Sequence, residues 1–196
     1  AIALVRMENV ATVQVIVTTV ADGEIYNETF TTISTVGIID WYSYFFEDII
    51  QKDALLITGL PSHYAPTVEI IITGTGTADM SVGTFVIGRT KYLGATLRDG
   101  ASTGITDYSR KEADEFGNYI LVERAFAKRG SFRLSMPSGM VDDVHKTLSD
   151  YRATPTVFSA ADDFSSTLIF GWVKDFSLGF EYPTESRCSI EIEGLT

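Results

Sequence analysis

Alternation of β-branched and polar residues is the dominant pattern in the first ninety positions of the chain. It predicts five short strands, at residues 12–18, 24–33, 54–58, 67–73 and 84–88. An Ala21-Asp22-Gly23 turn joins the first two as a hairpin. Because short strands that recur between turn residues are typical of a β-sandwich, we expect residues 1–90 to form one.

The rest of the chain combines strand patterns with one clear helix pattern. Residues 91–104 hold three glycines among small polar residues, which predicts a connecting loop. Residues 105–196 then predict a β domain with one helix at about 139–152, which Ser138 can cap. The apolar stripe of that helix is Met140, Val144, Leu148 and Tyr151. We therefore expect a mainly β chain of two β-rich domains, with the helix packed on the second sheet.

A hairpin pattern occupies the start of this second domain. Residues 119–126 are rich in β-branched and aromatic side chains and follow a Phe116-Gly117-Asn118 turn. Residues 107–115 are polar or charged on both faces of a strand, so this arm gains no stability from a core of its own. We expect the arm to contact another chain. The candidate interface residues are Asp107, Tyr108, Arg110, Lys111, Glu112, Phe116 and Asn118.

An ordinary solvated hairpin is the alternative interpretation of this arm, because single exposed apolar residues are common on protein surfaces.

The aromatic run W-Y-S-Y-F-F at residues 41–46 is the second apolar feature of interest. Its five rings are too many apolar groups to leave in water, so most should pack into the first domain. The alternative is that one or two of Trp41, Tyr42 and Tyr44 face a partner or a sugar.

Charge narrows the range of partners. The formal net charge is -11, so neither nucleic acid nor an anionic membrane surface is an expected partner. Residues 1–90 contain three basic and ten acidic side chains, whereas residues 91–196 contain twelve and sixteen, which supports a two-part chain. No apolar run approaches the roughly twenty residues that span a bilayer. The chain starts on A-I-A-L-V without a methionine, and we expect further sequence before it.

Motifs for catalysis are weak. Gly100 to Gly104 match the G-x-S-x-G pattern of a nucleophile elbow, and His145 follows in the expected order. That elbow needs a buried strand before the serine and a helix after it, and neither is predicted around Ser102. We expect no catalytic residue and no enzymatic activity.

Motifs for cofactors and metals are equally weak. Gly74-Thr75-Gly76 begins like a dinucleotide fingerprint, but Asp79 stands where the third glycine belongs. The two histidines, His63 and His145, have no Cys or His at metal-ligand spacing. We expect no cofactor and no metal, with calcium at Asp162 and Asp163 as a minor alternative. The single cysteine, Cys188, is predicted to be buried in a strand.

From about residue 37 onward the chain resembles a group of tailed-bacteriophage virion proteins known as tail or structural proteins. The motifs that carry the resemblance are D-W-Y-S-Y-F-F, V-G-T-F-V-I-G, D-Y-S-R-K-E-A-D-E-F-G-N, E-R-A-F-A-K-R, R-A-T-P-T-V, W-V-K-D-F-S and C-S-I-E-I-E-G-L. The resemblance implies a non-enzymatic structural component of a phage tail or tail tip, assembled into the virion in the host cytoplasm. Its implied partners are other virion proteins and further copies of itself.

A looser similarity, to ring-forming distal tail proteins, holds only at the level of architecture. The alternative function is a carbohydrate-binding module that the virion displays for attachment to the host surface. The aromatic residues separate the two expectations, because a structural protein covers them between chains whereas a sugar-binding module leaves them in an open groove.

Overall fold

The computed structural model describes residues 1–34, 38–46, 50–76, 79–113, 117–161, 164–180 and 182–195. Within these residues most of the chain is β-strand, so the predicted mainly β class is confirmed. The chain divides into two compact units, Ala1–Thr90 and Lys91–Thr196.

The first unit is built from antiparallel strands. Its elements are β1 (Ile2–Glu8), β2 (Val10–Thr19), β3 (Gly23–Thr31), β4 (Ile33–Ser34), α1 (Trp41–Phe46), β5 (Ile50–Gln51), β6 (Ala54–Ile57), β7 (Thr67–Gly74) and β8 (Ser81–Ile87). They form two three-stranded sheets, in the orders β6-β1-β8 and β3-β2-β7, and β4 pairs with β5 in a short ladder.

One apolar core serves both sheets of the first unit. β1 passes into β2 through Asn9, whose positive φ of 55° redirects the chain from one sheet to the other. The buried residues that share the core are Ile2, Leu4, Met7, Val10, Val13, Val15, Val17 and Ile57. Because side chains from two sheets meet in one cluster, this unit has the sandwich arrangement that its alternating pattern predicts.

The second unit is a larger sheet with one helix against it. Its elements are β9 (Ala95–Asp107), β10 (Arg110–Ala113), β11 (Tyr119–Val122), β12 (Phe126–Pro137), α2 (Val141–Asp150), β13 (Thr156–Phe158), β14 (Ile169–Gly179) and β15 (Glu185–Gly194). Five strands form an antiparallel sheet in the order β13-β14-β15-β12-β9, and β10 pairs only with β11 among the described residues.

The connecting loop predicted over residues 91–104 is wrong for most of its length, because β9 begins at Ala95. Two of the glycines that suggested a loop lie on β9 beneath arginines of β12. A Cβ at Gly104 would lie 3.2 Å from Arg129 Nε, and one at Gly100 would lie 2.9 Å from the Arg133 guanidinium carbon. The glycines therefore leave room for long side chains to cross an edge strand, a use of glycine that sequence does not distinguish from a loop.

The predicted helix is confirmed, although it begins at Val141 after a 3₁₀ turn at Ser138–Met140. Ser138 makes no capping hydrogen bond, and its hydroxyl lies 3.1 Å from that of Ser186. Val141, Val144 and Leu148 are buried on the sheet. The strand residues buried with them are Phe132, Leu134, Met136, Ile169, Val173, Cys188, Ile190 and Ile192. Burial of Cys188 agrees with its predicted place in a strand.

Candidate functional site

A two-stranded arm extends the sheet of the second unit. β9 and β12 pair as far as Asp107 and Phe126, and the same two chain paths then continue as β10 and β11. We call β10, β11 and the turn between them the arm. Asp107 holds its base, because one carboxylate oxygen accepts from the backbone N–H of Ser109 at 2.9 Å and the other from Lys111 Nζ at 2.8 Å.

Every described strand residue of the arm is exposed. Opposed residues of an antiparallel pair point to the same face, so the register places Ile120 and Val122 with Arg110 and Glu112 on one face. The other face carries Tyr119 and Leu121 beside Lys111 and Ala113. β11 is therefore apolar on both faces, a pattern typical of a strand covered on both sides. Yet its four side chains, in order from Tyr119, are 77%, 56%, 68% and 45% exposed.

The charges of the arm are paired within it. Arg110 Nε lies 2.6 Å from a Glu112 carboxylate oxygen, and Lys111 pairs with Asp107. Hydrogen bonds from Lys111 and Ser109 hold the pKa of Asp107 well below its usual value. Exposed ion pairs of this kind contribute little to stability. They leave β10 charged but locally neutralised, next to an uncharged β11.

The predicted interface residues fall mainly on the polar side of this arm. Asp107 and Tyr108 lie at its base, and Arg110, Lys111 and Glu112 belong to β10. Asn118 precedes β11, while Phe116 lies outside the described residues. The apolar strand β11 was not among the predicted interface residues. The run Y-I-L-V was its signal, because no polar residue interrupts it.

The second exposed surface is α1, where the prediction of buried aromatic residues is wrong. Its five rings are between 62% and 79% exposed, and only Ser43 is buried. The Ser43 hydroxyl accepts from the backbone N–H groups of Ile39 and Asp40 and donates to the Asp40 carbonyl at 2.9 Å. Hydrogen bonds from Ser43 also lower the pKa of Asp40. The helix thus turns its one small polar residue inward and its rings outward.

Those rings pack on one another instead of on the core. Helical spacing stacks Trp41 on Phe45 at 6.2 Å between ring centroids and brings Tyr42 to 4.8 Å from Phe46. Tyr44 meets Trp41 edge-on at 6.3 Å. Of the candidate ligand or partner aromatics, Trp41 and Tyr44 therefore share one exposed cluster with Phe45, whereas Tyr42 forms an exposed pair with Phe46.

A cavity of about 360 Å³ lies at the base of the arm. Its lining residues are Tyr108, Arg124, Ala125, Trp172, Gly194 and Leu195. A second, polar cavity of about 200 Å³ lies along the strands and includes Ser102, Arg129, Lys174 and Glu193. Lys174 Nζ lies 3.8 Å from Glu193, so the charges that line this second cavity are partly paired.

Ser102 and His145, the two residues of the catalytic motif, lie on a strand and on the helix of the second unit. Ser102 lies within β9 opposite Ser131, without the strand-turn-helix frame of a nucleophile elbow. His145 lies on α2 with its ring edge-on to Phe176 at 5.6 Å. Among the described residues no group of His, Cys, Asp or Glu could hold a metal ion, and Asp162 and Asp163 lie outside those residues. Nor does any helix in the described part of the chain have the length and apolar character to cross a membrane.

No protein-family model matches the chain, and no curated protein matches it either.

Proposed function

We propose that this chain is a non-enzymatic structural component of a tailed-bacteriophage virion, a tail or tail-tip protein of the baseplate or adaptor kind. It acts through interfaces with other virion proteins and with copies of itself. Its place of action is the virion, into which it is assembled in the host cytoplasm.

One observation carries the proposal: two motifs of the phage resemblance, the longest among them, contain or adjoin the two exposed apolar surfaces. D-W-Y-S-Y-F-F contains α1, and the motif at residues 107–118 contains β10 and leads into β11. Scattered exposed apolar residues are normal, but contiguous exposed groups mark surfaces that bind partners.

The energetics favour partner contact over solvation. Full burial of a large apolar side chain contributes on the order of 1.5 to 3 kcal/mol, and the four residues of β11 are still between 45% and 77% exposed. Covering the rest would add on the order of 1 kcal/mol for each side chain. In a symmetric assembly this gain recurs at every copy.

Labelled particles test the proposal. The Val20 side chain is fully exposed in the first unit, so a small tag inserted there should leave the fold intact. We expect gold particles bound to that tag to lie on the tail of purified virions. Virions of normal composition that carry no label would contradict the proposal.

Carbohydrate binding is a second candidate, favoured by the exposure of Trp41 and its stacking on Phe45. Aromatic faces of this kind suit sugar rings. A glycan array with the wild type, Trp41→Ala and the control Tyr64→Ala separates the two functions, since Tyr64 is an exposed aromatic residue outside α1. Binding that only Trp41→Ala abolishes would favour the sugar-binding module. The structural proposal predicts no binding by any of the three.

A further inference from the structure

The two edges of the arm differ in chemistry. The β10 edge carries Arg110, Lys111 and Glu112, whereas β11 has no charged side chain. Among the described residues neither strand pairs with a third. Charged side chains, lysine above all, are the usual protection of an open edge against further pairing. The β10 edge is protected in this way and the β11 edge is not.

The register shows where a strand added to β11 would lie. β12 pairs with β9 on one side as far as Phe126, but with β15 on the other side only as far as Arg129. Since β10 continues β9, the open edge of β11 faces the side that β15 occupies along β12. An added strand would therefore run in line with β15. The cavity lined by Arg124, Trp172 and Gly194 lies where the pairing of β12 with β15 stops. It can receive the end of the added strand.

We propose that this open edge pairs antiparallel with β11 of a second copy, an inference that rests on the proposed function as an assembly of copies. The product is a four-stranded sheet in the order β10-β11-β11-β10. Its two central strands are the apolar ones, and its two outer strands carry the charges that end the sheet. A single two-fold contact thus pairs both unprotected edges at once.

The distribution of charge is compatible with a second copy of the chain at the open edge of β11. Two chains of net charge -11 repel each other, so their contact has to bring together surfaces without opposed acidic groups. β11 meets this condition, because Tyr119, Ile120, Leu121 and Val122 are all uncharged. On the neighbouring β10, the Glu112 carboxylate is already paired with Arg110.

The alternation of side chains between the two faces of a strand limits the register in which two copies of β11 can pair. Side chains that oppose one another across a sheet share a face. A two-fold axis perpendicular to the sheet must therefore place one residue of β11 directly opposite the same residue of the second copy. The two allowed registers that pair most of β11 place either Ile120 or Leu121 opposite its own copy. A shift of one residue would oppose side chains of different faces and is excluded.

Single-cysteine variants test the pairing in the full chain. Cys188 is buried, so a cysteine placed on the arm is the accessible thiol. We expect either Ile120→Cys or Leu121→Cys to form a disulfide-linked dimer on mild oxidation, with a yield at least about tenfold above that of the control. Glu112→Cys is the matched control, because residue 112 opposes Ile120 on the same face but lies on the outer strand.

Equal cross-linking of Glu112→Cys, or no dimer from either β11 variant, would overturn the pairing. The tagged virions distinguish this failure from failure of the proposed function. Labelled tails without a β11 cross-link overturn only the pairing of β11 with a second copy. Unlabelled virions overturn the virion function, whatever the cysteine variants do.

Discussion

β11 and β12 are consecutive strands on one chain path, yet their side chains differ in burial. In β12, Phe132, Leu134 and Met136 are buried and the residues between them are not. In β11 all four residues are apolar and all four are exposed. An alternating strand needs cover on one face, which α2 and the core provide for β12. A strand that is apolar at every position needs cover on two faces, and the described part of the chain provides none for β11.

The two helices repeat the contrast. In α2 the apolar side chains share one face and are buried, as for Val144 and Leu148. α1 has aromatic residues at five of its six positions, and Ser43 is the residue that faces inward. Both comparisons teach that an apolar run with no polar face need not be core. It is also what a chain presents when the covering surface belongs to another molecule.

Truncation in the two strands gives the largest expected difference. Phe132→Ala should lower the free energy of unfolding by about 3 to 5 kcal/mol, because it opens a cavity in the core of the second unit. Leu121→Ala should change it by no more than about 0.5 kcal/mol, because the side chain is exposed. Chemical denaturation measures both. A large loss for Leu121→Ala would show that β11 packs within its own chain.

The helices allow the same comparison with a smaller effect. Leu148→Ala should cost on the order of 2 to 5 kcal/mol. Phe45→Ala should stay near 1 kcal/mol or below, since only the stacking on Trp41 and Tyr44 is lost. Lys146→Ala is the control on the exposed side of α2 and should have almost no effect. A cost below about 0.5 kcal/mol for Leu148→Ala would mean that α2 is not part of the core.

A substitution in β11 should weaken self-association of the chain but leave the stability of the monomer unchanged. Leu121→Lys should leave thermal unfolding of the monomer unchanged and weaken self-association at least about tenfold, which is about 1.4 kcal/mol. Val20→Lys is the control, because it adds the same charge at a fully exposed position of the first unit. Sedimentation velocity across a concentration series measures both.

A further effect concerns the buried face of the sheet at high pH. Burial raises the pKa of the Cys188 thiol from 9.0 to about 11. The unfolded chain therefore loses this proton first, so the stability linked to the neutral thiol is fully present below pH about 9 and falls as pH rises toward 11. Unfolding of the wild type and of Cys188→Ala at a series of pH values measures it. A stability difference that does not change above pH 9 would contradict the assignment.

Much of the fold is predictable because one-sided burial leaves a period in the sequence. The strand predicted at residues 67–73 lies within β7, and the helix stripe at Val144 and Leu148 is buried where expected. β1 was missed, since its apolar run carries no alternation and Ile2, Ala3 and Leu4 are all buried. β9 was missed because its glycines face arginines, which only the register shows.

The candidate site was predictable only in part. Mixed charge on both faces of residues 107–115 predicts an exposed strand, as β10 is, but this signal says nothing about β11. The apolar residues of β11 resemble a core strand, and their exposure depends on what the rest of the chain fails to cover. For α1 a local signal did exist: Asp40 accepts the backbone N–H of Ser43, the type of cap that begins a helix.

Hydrogen exchange at the backbone amides of β11 tests the central claim most directly. β12 provides the internal reference, because it is paired on both sides. In an antiparallel strand every second amide faces the same neighbour, so only the amides of residues 119–122 that point away from β10 lie on the open edge. We predict that these amides exchange fast in dilute protein and become protected as self-association proceeds, while those of Phe132 and Leu134 are protected throughout. Fast exchange in β11 at every concentration, or protection already complete in the monomer, would contradict it.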